Sequence, residues 1–197
     1  MSEPPPSDTK GPLGTYDSFL NDVRRLCAST GDRAALRRAV AAATRPESTS
    51  GRRGTGETLY LLRALAAANM HPERKQNFLL VAGLLAQHPE TPAADVQDPA
   101  VRYADGNLGA ALGRAVTTNG VTQGRGDQTM RAFTRKTTPG LRLALPRAVR
   151  HLDPSLSGLD LAVVLSDLNG WHFRAANISR RWWESYALHC PNSPKGI

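Results

Sequence analysis

Eight basic side chains lie between residues 114 and 150: Arg114, Arg125, Arg131, Arg135, Lys136, Arg142, Arg147 and Arg150. Asp127 alone opposes them, so this stretch is +7 in a chain whose formal net charge is +8. A block of one sign repels itself unless it meets an anion. Nucleic acid is the commonest partner for such a block; a solvated surface kept for solubility is the alternative. A second cluster, Arg33, Arg37 and Arg38, lies earlier in the chain. Arg33 and Arg37 are four apart and stack on the surface of one helix. Arg outnumbers Lys by 21 to 4. The guanidinium forks onto phosphate with two parallel hydrogen bonds and is less strongly hydrated than an ammonium. A GC-rich genome would produce the same bias, so the ratio alone does not decide.

Other chemistries lack their residues. The histidines at 71, 88, 151, 172 and 189 are scattered, and none stands in ligand spacing with another histidine, a cysteine or a carboxylate. No metal site is expected from them. There is no Walker loop, no dinucleotide-binding glycine fingerprint and no His-Glu-x-x-His helix. Asp160 and Asp167 are seven apart and share a helix face, and paired carboxylates can do acid–base work. No nucleophile, histidine or metal motif accompanies them. Asp160 is therefore read as a helix-start carboxylate favoured by the macrodipole, and Asp167 as a structural or ion-pairing one. No enzymatic activity, cofactor or small-molecule substrate is expected.

Five of the eleven aromatics fall between 171 and 186: Trp171, Phe173, Trp182, Trp183 and Tyr186. Exposed aromatics interleaved with arginine make base-stacking platforms, and Arg174, Arg180 and Arg181 are close by. The core reading is preferred, since Trp is highly buried on average. Trp182 and Trp183 cannot both face inward equally, so one of them is a candidate partner contact.

The elements that position these groups are helical. Phe19, Leu20, Val23, Leu26 and Cys27 keep helical spacing; Gly31 ends that helix and Asp32 is the expected cap of the next, with Leu36, Ala39, Val40 and Ala43 inward. A third helix is expected over 57–69. A fourth opens at Pro72, is apolar on more than one face and ends at His88-Pro89. Residues 88–106 read as a connection. Asn107 caps a helix that closes at Asn119-Gly120. Residues 120–126 read as a loop, with Asp127 capping a basic helix over 128–137. Pro139 opens a helix to Leu152, in which Pro146 should produce a kink or a delayed start. Ser157 caps a helix ending at Asn169-Gly170, and a last helix spans 177–189. No segment alternates with period two. The fold class is all-α, about nine helices in two packed helical bundles. The expected organisation is a tail (1–14), an N-terminal bundle (15–90), a linker (91–106), a basic C-terminal bundle (107–190) and a tail (191–197). Cys27 and Cys190 are too few for a disulfide scaffold. No apolar run reaches the roughly 18 residues of a membrane span. The first residues form no signal peptide, so a cytoplasmic, membrane-free protein is expected.

The order of segments resembles a known family. Gly31-Asp32-Arg33-Ala34-Ala35-Leu36-Arg37-Arg38-Ala39 is similar to a helix of the CasB family, the small subunit of the type I-E CRISPR surveillance complex, Cascade. Three segments resemble it in the same order: Phe78 to Pro89, Asn107 to Leu112, and Leu159-Asp160-Leu161-Ala162 running to Asp167-Leu168-Asn169-Gly170-Trp171. Arg181-Trp182-Trp183-Glu184-Ser185-Tyr186 resembles its Trp-containing last helix, so the likeness covers roughly 16–189. The resemblance implies a non-enzymatic helical subunit, present in two copies, whose basic surface faces guide RNA, target DNA and the displaced strand among other Cascade subunits. Arg37 and Arg38 match the family's Arg pair, and Arg131 and Arg135 match basic positions on a later helix. Arg147 falls on a Leu-Arg-Arg motif in which this chain has Pro146. With Arg33, Arg125, Lys136, Arg142 and Arg150, these are the candidate nucleic-acid contacts. Leu161, where the family often has Trp, and the long loop 45–56 also depart from the pattern.

Two other classes compete. A sequence-specific helix-turn-helix regulator would read the major groove with the 128–137 helix, but its preceding connection of about 7 residues exceeds the usual 3–4. A helical adaptor would use its faces for protein contacts and its charge for solubility.

Overall fold

The computed structural model describes residues 13–44, 72–91, 93, 95–96, 98–118, 120–152 and 158–190. Eight helices and no strand occur among them: α1 (Gly14–Cys27), α2 (Thr30–Ala43), α3 (Pro72–Gln87), α4 (Pro99–Asp105), α5 (Leu108–Thr118), α6 (Gln123–Thr134), α7 (Thr138–Leu152) and α8 (Leu161–His189). The helix expected over 57–69, the loop 45–56 and Ser157 lie outside the described residues.

α3 is the central element. Every residue from Asn77 to Ala86 is buried, as a helix apolar on all sides must be. α2 packs along it through Leu36 and Val40. α5 packs along α8, and α8 also contacts α1, α3, α4 and α7. The buried side chains of these helices form one contiguous cluster. The α5–α8 approach depends on Gly109, where a Cβ would sit 1.9 Å from the Trp182 carbonyl oxygen.

Several expectations are corrected. Helix α2 starts at Thr30 with Gly31 inside it, and Asp32 does not cap it; the Asp32 amide faces Ser29 Oγ at 3.4 Å. Residues 99–105 of the expected connection form α4, which Asp98 caps by accepting from the Ala100 amide at 2.8 Å, with Pro99 at the first position. Helix α6 begins at Gln123, capped by Thr122, so Asp127 lies inside it. Its glycines suggested a loop, yet Gly126 is there for space: a Cβ would lie 2.5 Å from the Tyr186 hydroxyl. Pro146 lies inside α7 without delaying its start. The two helices expected over 157–189 form a single element, α8, capped by Asp160 and interrupted at Arg174 (φ −133°, ψ 24°) rather than at Asn169-Gly170. The capping by Asn107 is as expected, its Oδ1 accepting from the Ala110 amide at 3.0 Å.

Asp167 is structural. It is buried, accepts from the Trp182 indole at 2.7 Å and pairs with Arg181, whose guanidinium also stacks over the Tyr103 ring at 4.7 Å. Burial pushes its carboxyl above the ordinary range despite those partners. Arg102 is the second internal anchor. Its guanidinium is 5 % exposed, donates twice to Asp17 and once to Asp160, each at 2.7 Å, and so ties α1, α4 and the cap of α8 together. Those hydrogen bonds raise its pKa. Among the described residues no helix is long and apolar enough to cross a membrane, and no group of His, Cys, Asp or Glu could hold a metal ion.

Candidate nucleic-acid interface

Seven of the eight basic residues of the block fall on α6, α7 and their short connection, the α6–α7 hairpin, and α8 holds both ends of α6. The Tyr186 hydroxyl donates to Asp127 Oδ1 at 2.8 Å near its start, and the Trp171 indole donates to the Lys136 carbonyl at 2.8 Å just past its end. Burial, Asp127 and Cys190 push the Tyr186 phenol well above its ordinary pKa, so it stays a donor. The one carboxylate of the block is therefore engaged by a neutral hydroxyl, not by an arginine. Arg125, Arg131, Arg135, Arg147 and Arg150 are exposed, with no ion-pair partner among the described residues.

Between α6 and α7 runs a groove of about 530 Å³. Met130, Phe133, Ala144 and Leu143 contribute its apolar surface, and Arg125, Lys136 and Arg147 line it. Among the described residues, none that lines it is acidic. The structure thus brings three of the candidate contacts into one groove. Arg131 and Arg150, on the same two helices, and Arg135, just past the end of α6, are exposed but are not among the described residues that line it.

The remaining candidates are placed differently. Arg142 is buried at 4 %, because it lies on the face of α7 that also carries Leu141, Leu145 and Val149 inward; its guanidinium is not part of the exposed set. Arg33 and Arg37 are not simply solvated: their Nε groups donate to the Ala86 carbonyl at 3.3 and 3.0 Å, at the C-terminal end of α3. A cation there is favoured by the helix dipole and satisfies a carbonyl that has no partner within the helix. Arg38 is exposed on α2, away from the hairpin. Arg114 reaches the carbonyl oxygens of Asp105 and Gly158, which ties it to the framework.

Trp171, Trp182 and Tyr186 are buried in the core, as expected, and Trp183 is half-buried with its ring edge-on to Tyr186 at 5.8 Å. Phe173 departs from the core reading, being 79 % exposed. Its sequence signal was the adjacent Arg174, where α8 breaks. The connection before α6 also differs, comprising only residues 119–122 because α6 starts early. The length objection to a helix-turn-helix is thereby removed.

The family model of the CRISPR-associated protein Cse2 matches residues 32–186. No curated protein matches the chain significantly. Three solved structures share the fold. A chain of a CRISPR RNA-guided surveillance complex superimposes with a TM-score of 0.64 at 23 % identity, covering 91 % of this chain and 95 % of that one. A chain of a pre-nicking surveillance complex gives 0.69 at 24 % identity, with the same coverage. CasB of M. ruber gives 0.61 at 17 % identity, covering 87 % and 91 %. The matched span takes in α2 through most of α8, including the whole basic hairpin, and the chain belongs to the Cse2 family of CRISPR-associated proteins.

Proposed function

We propose that the chain is a non-catalytic subunit of a cytoplasmic, RNA-guided CRISPR surveillance complex of the Cascade type. In this reading its α6–α7 hairpin holds the backbones of guide RNA, target DNA and displaced strand, which stabilises the R-loop. The observation that carries the reading is the set of exposed arginines on that hairpin, which among the described residues have no ion-pair partner and group in part around a groove that no acidic residue lines. Exchanging a DNA duplex for an RNA–DNA heteroduplex is nearly balanced in free energy, so backbone contacts can tip it. Arginines on phosphates position the strands without reading sequence; the guide does the reading. The other Cascade subunits and a second copy of this chain are its expected partners.

The test is the R-loop lifetime of a complex assembled with the Arg125→Ala, Arg147→Ala variant, beside one with Arg131→Ala, Arg135→Ala. A shortened lifetime with an unchanged circular dichroism spectrum supports the reading. An unchanged lifetime in both complexes removes the hairpin from the interface. Strong discrimination between unrelated DNA sequences by the isolated protein would favour a helix-turn-helix regulator instead.

A further inference from the structure

Where α8 is interrupted, its surface opens into a pocket of about 390 Å³. Arg74 of α3 and Thr138 of α7 line it together with His172 and Phe173 of α8. The imidazole and phenyl rings meet edge to face, with centroids 4.8 Å apart. Trp171, two residues before Phe173, is 3 % exposed, whereas Phe173 is 79 % exposed. Nearby in the chain, His172, Arg174 and Ala176 are exposed as well.

A second observation lies in the pocket wall. Asn77 is 2 % exposed, and its Nδ2 donates to Asn169 Oδ1 at 2.9 Å. Its Oδ1, itself buried, has no hydrogen-bond partner among the described residues, which is uncommon for a buried acceptor. Thr138 and His172 also line a neighbouring hollow of about 280 Å³ that reaches Lys136, which itself lines the α6–α7 groove. Neighbouring hollows therefore share walls from Lys136 to Arg74, and among the described residues no acidic side chain lines them.

We propose that this pocket takes one unpaired nucleotide of a single-stranded nucleic acid, its base stacked on Phe173 and its flanking phosphates held by Arg74 and Lys136. The inference rests on the nucleic-acid reading above and deepens it. A flat base covers an exposed ring that the rest of the fold leaves to solvent. Stacking is tolerant of sequence because every base has a π-face, which suits a subunit that reads none. Bases inside a duplex are already stacked on each other, so the site distinguishes a displaced strand from a heteroduplex.

The test uses the full chain and single-stranded DNA carrying 2-aminopurine, whose fluorescence reports stacking. Phe173→Ala should weaken single-strand affinity about 5- to 100-fold and abolish the fluorescence change, with the melting temperature unchanged because the ring is exposed. Phe173→Trp should restore both, and Phe173→Leu neither. The slope of affinity against salt should be that of the wild type, since no phosphate contact is lost. Wild-type affinity in Phe173→Leu overturns the proposal while leaving the basic groove standing. Intact DNA binding by Phe173→Ala with loss of association to other complex subunits also overturns it, because a protein then covers the ring. No single-strand binding by the wild type sinks this inference and the groove together.

Discussion

Arg102 and Arg147 have the same side chain and opposite situations. Arg102 is enclosed between two carboxylates that come from elements far apart in sequence. Arg147 lines a groove in which, among the described residues, it meets no acidic side chain and no ion-pair partner. The contrast extends to their neighbours. Arg181 is held by Asp167, and Arg33 and Arg37 by the end of α3. Arg125, Arg131, Arg135 and Arg150 face solvent. An enclosed guanidinium builds the fold, whereas an exposed one is the group that, in the proposed function, meets an external anion. Net charge alone blends these two populations.

The comparison breaks most visibly at Arg102. Arg102→Ala removes the guanidinium that bridges Asp17 and Asp160, leaving the more distant charge of Arg24 near them, and should cost about 3–5 kcal/mol in urea denaturation. Arg102→Lys should recover only part of that, since an ammonium cannot make the two-pronged contact. A loss near zero would mean that Arg102 is not a framework residue. Next in size, Arg33→Ala with Arg37→Ala removes both donors to Ala86 and should cost about 1–2 kcal/mol, read in the same way.

A smaller effect sharpens the picture at Asp167. Burial raises its pKa, so in the folded chain it keeps a proton at pH values where the unfolded carboxyl has lost it. Its contribution to stability is therefore greatest below its ordinary pKa and declines as pH rises through the raised value. Compared with Asp167→Asn, which does not titrate, the wild type should gain stability as pH falls from about 7 to about 4. Thermal melts across that range check the sign, and a relative loss would contradict it. The smallest effect on stability belongs to the hairpin. Arg125→Ala with Arg147→Ala should change the free energy of unfolding by no more than about 0.5 kcal/mol.

Much of this was legible in the sequence where the signal is local. Pro72 at a helix start, the apolar run through α3, the Asn107 cap and the inward faces of α1 and α2 each follow from neighbours along the chain. The misses share a cause in distant contacts. α4 hid in a polar connection, although Asp98-Pro99 is a cap followed by a first-position proline; its purpose, Arg102, has partners 85 and 58 residues away. Gly126 read as a loop residue because Tyr186, which needs its space, is far off in sequence. Gly170 read as a helix end, though it sits inside α8 beside the Arg174 guanidinium. The same limit applies to the candidate site. Composition found the basic block, but only the folded chain separates Arg142, turned inward, from Arg147, turned out.

The most direct measurement is the salt dependence of single-stranded DNA binding, wild type against the Arg125→Ala, Arg147→Ala variant. Each lost phosphate contact should reduce the slope of log affinity against log salt by about 0.7, so the double variant should be shallower by about 1.4, with weaker binding at low salt and an unchanged fold. Identical slopes and affinities would show that the exposed arginines meet only water, and would contradict the account.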